Sequence, residues 1–177
     1  MDPRDIVDQS KNWLESIAEK LPVYKDYKQK EERRQADLIL REHLAGQFEA
    51  EWRRINDLKS QMLTGPAMML LDDIGQASRR LQTLIDKIKG AAQGYAGFFD
   101  AAKVQEQELD ALYEFDYNLL LQADQLAEAV GAVQTALDSG VDSDVAPAVR
   151  RLTRVVTDLN RTFAGRRDVM LGVSQEQ

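Results

Sequence analysis

Apolar side chains recur along this chain at alternating three- and four-residue steps, the spacing that gathers them on one face of a helix packed among others. The longest such stretch holds Phe98, Ala102, Leu109, Leu112, Leu119, Ala123, Leu126, Val130, Val133 and Leu137 on one seam, interrupted only by Gln105 and Asp116. It predicts a helix over about 98–138. A second seam, Leu40, Leu44, Phe48, Trp52, Ile55, Leu58 and Met62, closes a helix of about 24–63. Thr64-Gly65-Pro66 breaks it, and Pro66 suits the first position of a third helix, about 66–92. Its heptad seam runs through Ala67, Leu70, Ile74, Ala77, Leu81, Leu84, Ile88 and Ala91. The adjoining Met68-Met69 reads as core filling at a bundle end, with a soft contact surface as the other reading. The loop Asp138–Asp144 leads to a fourth helix, about 144–171, capped by Ser143 or Asp144 and carrying Val149, Leu152, Val156, Leu159 and Phe163. Ahead of these four, Asp2-Pro3 opens a short amphipathic helix of about 3–21 that Pro22 stops.

The expected architecture is all-α: an elongated up-down-up-down four-helix bundle preceded by a short amphipathic helix. A length of 177 residues suits one domain spanning 1–177, with 1–21 as an appended helix. Gly46, Gly75 and Gly131 fall inside three of the helices, either as tolerated glycines or as points of close approach.

Charge sharpens the pairing. Residues 100–138 carry nine Asp or Glu against the single Lys103, whereas the last helix carries Arg150, Arg151, Arg154, Arg161, Arg166 and Arg167 against Asp158 and Asp168. A short connection makes these two helices antiparallel neighbours, an acidic one beside a basic one. A net charge of −7 argues against general affinity for nucleic acid. No apolar run is long enough to span a bilayer, and Asp2, Asp5 and Asp8 stand where a cleavable signal needs basic residues. The chain has no cysteine, so disulfides and thiolate chemistry do not arise, and a cytoplasmic location is expected.

Catalytic signatures are not found. A carboxylate-bridged di-iron bundle needs Glu-x-x-His on two helices, and His43 is the sole histidine, with Leu40 where that motif requires Glu. No phosphate loop, dinucleotide fingerprint or nucleophile elbow occurs. The expectation is a non-enzyme with no catalytic residues, metal or cofactor. Asp116, between Tyr113 and Tyr117, is the one carboxylate placed on a core seam. Buried there it needs a partner, for which Arg34, Arg41, His43 and the tyrosine hydroxyls are the candidates. It reads as a polar pin of helix register, or alternatively as the centre of a small-ligand site.

Two stretches suggest surfaces. Tyr24-Lys-Asp-Tyr27-Lys-Gln-Lys-Glu31-Glu-Arg33-Arg34-Gln-Ala36-Asp37 is a charged helix start whose bland reading is a solvated end laced with pairs such as Arg33–Asp37. Its functional reading is a docking segment with Tyr24, Tyr27, Arg33, Arg34 and Asp37 facing a partner. In the front helix, Trp13, Leu14 and Ile17 line an apolar side suited either to packing on the bundle or to a membrane surface. Few Lys and Arg accompany it, which favours packing.

The Tyr24–Asp37 segment, with Arg41-Glu42 after it, resembles a stretch of uncharacterised bacterial helical proteins. That resemblance implies a bacterial origin and an all-helical body. More loosely, a leading amphipathic helix followed by long helical hairpins is similar to the phage-shock and vesicle-inducing membrane-stress proteins. The expected function is a scaffold or adaptor acting on an unidentified protein partner. Peripheral membrane association through residues 3–21 is the alternative, and long heptad seams suit a monomer or a homo-oligomer equally.

Overall fold

The computed structural model describes the backbone of residues 30–90 and 106–170, and the side chains of residues 38–90, 115 and 117–165. Among these residues there are four α-helices: α1 (Lys30–Gln61), α2 (Leu71–Gly90), α3 (Glu106–Ser139) and α4 (Asp142–Met170). The fold is an all-α bundle, as the seams require. The front helix expected over 3–21, and the stretch carrying Phe98, Ala102 and Gln105, lie outside the described residues.

Both described connections are short, and each turns on a glycine. Gly65 adopts φ 83° and introduces a 3-10 turn, Pro66–Leu70, before α2 begins. The helix expected from residue 66 therefore starts as 3-10 backbone and becomes α-helical at Leu71. Gly140 adopts φ 66° and its N–H donates to the Leu137 carbonyl at 3.2 Å, closing α3. Gly140 and Val141 alone link α3 to α4, a tighter reversal than the seven-residue loop the sequence suggests. Ser143 and Asp144 consequently fall inside the first turn of α4 and not before it. The Ser139 hydroxyl steadies the link by donating to the Ala136 carbonyl and accepting from the Val141 N–H.

The helices pack in the order α1, α2, α4, α3 around the bundle, and α3 returns to α1. The α3–α4 hairpin has the most extensive interface, in keeping with its acidic and basic partners. An ion pair spans it, Arg151 to Glu128 at 3.4 Å between exposed side chains, where charge selects a neighbour more than it stabilises it. α1 and α3 run parallel: Arg54 lies opposite Gly131, and further on Gln61 and Gln134 exchange amide hydrogen bonds at 3.1 and 3.4 Å. α2 and α4 also run parallel. The Pro66–Leu70 turn packs on α4, and further along Asn160 donates to the Arg80 carbonyl at 3.2 Å. Two antiparallel hairpins thus lie side by side with their connections at one end.

The interior is one continuous apolar cluster. Leu40, Leu44, Phe48, Ile55 and Leu58 enter it from α1, Met62 from the turn just after it, and Ile74, Ala77, Leu81, Leu84 and Ile88 from α2. α3 contributes Leu119, Ala123, Leu126, Val130 and Val133, with all five expected α4 residues facing them. Burial of each large aliphatic or aromatic side chain stabilises the fold by about 1.5–3 kcal/mol. α3 also buries Leu120, Ala129 and Ala136, a second stripe required because it meets both α1 and α4. Polar residues enter the α1–α2 seam at one level. The buried Ser78 hydroxyl donates to Asn56 Oδ1 at 3.1 Å, while Asn56 Nδ2 donates to the Trp52 carbonyl at 2.9 Å.

Candidate functional site

The residues singled out from the sequence do not converge on one site. Tyr24, Tyr27, Trp13, Leu14 and Ile17 lie outside the described residues. Arg33, Arg34 and Asp37 belong to the first turns of α1, and Asp116 to the first third of α3, with their side chains outside the described set. Arg41 is buried and His43 half-buried on α1. Among the described residues no group of three or more His, Cys, Asp or Glu is arranged to hold a metal ion. No described helix is long and apolar enough to cross a membrane.

The surface that stands out is the end of the bundle where both connections lie. Among described large apolar side chains, six are exposed, and four of them sit here: Leu63 at 59%, Met68 at 55%, Met69 at 89% and Val141 at 47%. The 3-10 turn explains the two methionines. With three residues per turn, residues three apart share a face, so Ala67 and Leu70 both turn inward against the core. Met68 and Met69 fall on the other faces. Met68-Met69 is therefore solvent-facing surface, and the core-filling reading fails because it assumed α-helical spacing from Pro66.

A cleft of about 230 Å³ opens between the two connections. Gln61, Thr64, Pro66 and Ala67 form one wall; Leu137, Asp138, Gly140, Asp142 and Val145 form much of the other. In sequence, Leu63 and Met68 adjoin residues of the first wall, and Val141 falls between Gly140 and Asp142 of the second. Pro66 and Ala67 on one wall and Val145 on the other give the cleft apolar surface, and Asp138 and Asp142 bring carboxylates to it.

Five exposed aspartates surround this end: Asp72 and Asp73 in the first turn of α2, Asp142 and Asp144 in the first turn of α4, and Asp138 in the last turn of α3. No Lys, Arg or His occurs between Lys59 and Arg79, or between Lys103 and Arg150. Four of the five stand at helix N-termini, where the helix dipole stabilises a carboxylate. Asp138 does not. It stands at the negative end of α3, whose last turn has no basic residue, and is held by a hydrogen bond from Gln134 Nε2 at 2.8 Å. The chemistry assembled at this end is a set of exposed apolar side chains bordered by exposed carboxylates, with Lys59 in the last turn of α1.

The α1–α2 hairpin supplies the opposite pattern further along, where Lys89 pairs with Glu49 between the end of α2 and the middle of α1. α1 continues beyond that level by five helical turns toward Lys30, on the far side of the bundle from the exposed methionines. Comparison of the chain with family models, with curated proteins and with solved structures finds no match.

Proposed function

We propose that this chain is a non-enzymatic helical-bundle scaffold that works by protein–protein contact, with its connection end as an interaction surface. The observation that carries this reading is the exposure of Leu63, Met68, Met69 and Val141 together. Single exposed apolar residues are ordinary on a protein surface, but four of the six exposed among the described residues fall on the two connections at one end, a concentration characteristic of contact sites. The core does not need these side chains, because Ala67, Leu70 and Val145 already close it at this end. The charged Tyr24–Asp37 segment, of which residues 30–37 form the start of α1, is proposed as a second contact. The cysteine-free, acidic chain fits a cytoplasmic setting in a bacterial cell.

Site-specific photocrosslinking in the native host tests the reading. A crosslinker at position 69, and separately one at position 27, should each join the chain to a defined protein. Combined Leu63→Ser, Met68→Ser and Val141→Ser should remove the adduct at position 69 with an unchanged melting temperature. Absence of a specific adduct from both positions would refute the scaffold reading.

A further inference from the structure

We infer that the connection end accepts a cationic amphipathic helix of a partner protein. The inference rests on the interaction reading above and adds the chemistry of the partner. Three features point the same way. Unbranched methionine side chains adapt to the apolar stripe of an incoming helix, whose residues recur at i, i+3, i+4 and i+7. The cleft beside them combines the apolar surface of Pro66, Ala67 and Val145 with the carboxylates of Asp138 and Asp142. That pairing suits a Lys or Arg side chain, which has an aliphatic stem and a cationic tip. Asp72, Asp73 and Asp144 extend the negative border, so carboxylates outnumber the one basic residue in the last turn of α1, Lys59, whose side chain lies against Gly75 of α2.

The same charges exclude other occupants. An acidic peptide or anionic lipid surface would meet five carboxylates, against Lys59 in the last turn of α1. A neutral apolar partner would desolvate those carboxylates without pairing them, which is unfavourable. A second copy docking by the same end would set one acidic border against another, so a two-fold end-to-end dimer is disfavoured.

The probe is a Leu/Lys peptide of eighteen residues designed as an amphipathic helix, compared with its Leu/Glu analogue and a scrambled Leu/Lys sequence lacking an apolar face. With methyl-labelled methionine the chain has only five methyl signals, so the site of binding is read directly. Addition of the Leu/Lys helix should shift the Met68 and Met69 signals and leave that of Met170, the last residue of α4, in place. Combined Asp138→Asn and Asp142→Asn should weaken binding by about tenfold or more, as should combined Met68→Ser and Met69→Ser. The Leu/Glu helix should not bind.

Peptide binding that leaves Met68 and Met69 unmoved would show general attraction to an acidic protein and would overturn the inference. Equal binding of the scrambled peptide, or insensitivity to the aspartate changes, would overturn it too. Concentration-dependent self-association in sedimentation velocity, abolished by Met69→Ser, would assign the surface to a second copy instead. If position 69 crosslinks a partner but the Leu/Lys helix does not bind, the scaffold reading stands and the cationic-helix inference falls. If neither occurs, both fall.

Discussion

The Ser78–Asn56 hydrogen bond offers a direct measurement of what holds the α1–α2 hairpin in register. Ser78 is buried on α2, and its hydroxyl reaches Asn56 Oδ1 across the seam at 3.1 Å. Asn56 is half-buried and committed on its other side to the Trp52 carbonyl, so its orientation is fixed before Ser78 is met. Ser78→Ala removes the donor and leaves Oδ1 partly shielded from water. A neutral hydrogen bond contributes about 0.5–1.5 kcal/mol net, and the half-exposed acceptor regains some water, so the expected loss is about 1 kcal/mol. Asn56→Ala removes the acceptor and the Trp52 bond together and should be somewhat more destabilising. The double variant has no orphaned group and should lose less than the sum. The coupling energy from urea unfolding, followed by far-UV circular dichroism at constant m, is expected to be about 0.5–1.5 kcal/mol. A coupling below about 0.3 kcal/mol, the usual error of additivity, would refute the reasoning. It would mean that the Ser78 hydroxyl is satisfied by the carbonyl of Ile74 in its own helix, as serines in helices often are.

Three further outcomes follow from packing and backbone geometry. Phe48 is fully buried at the centre of the core, so Phe48→Ala should destabilise by about 3–5 kcal/mol, read as a lower urea midpoint. Gly46 is exposed in α1 with nothing within 4 Å of an added Cβ, so Gly46→Ala should stabilise by about 1 kcal/mol in the same assay. Gly140→Ala meets no neighbour either, yet its φ of 66° is unfavourable for an L side chain, and a loss of about 1–2 kcal/mol in thermal or urea unfolding is expected.

Helix identity and the inward faces were legible in the sequence because the apolar step is a local signal. Leu81, Leu84 and Ile88 lie three and four apart whatever the helix meets, and all three are buried. Ile85 and Ser78 were missed for the complementary reason. They lie on the flank of α2, and a flank becomes interior only through the identity of the neighbours, here α1 and α4. Leu120, Ala129 and Ala136 on α3 repeat the case. The order of packing was not legible, since heptad seams carry no label for their partner. The exposed surface was misread through Met68-Met69. The deciding fact is a single positive-φ glycine followed by 3-10 backbone, which rotates two methionines outward within five residues. Gly65-Pro66 was visible as a break, but a break does not state the pitch of the turn after it.

Topology also decides how the negative charge at the connection end should be understood. Parallel neighbours bring like helix ends together, so the positive N-termini of α2 and α4 adjoin. Asp72, Asp73, Asp142 and Asp144 offset those ends and have a sufficient structural cause. Asp138 has the reverse relation, a carboxylate at the negative end of α3 beside no cation of its own helix turn. Replacing it with Asn keeps an acceptor for Gln134 Nε2 and removes only the charge. Asp138→Asn should therefore stabilise the bundle by about 0.3 kcal/mol, the low end of the helix-dipole range because the group is exposed, and the gain should shrink with added salt. The same change should weaken binding of the cationic helix, since Asp138 lines the cleft. A residue that lowers stability where it stands and raises affinity for a partner is the pattern expected of an interaction site. If Asp138→Asn lowers the melting temperature instead, the carboxylate has a structural role through its bond to Gln134, and its place in the binding surface loses its support.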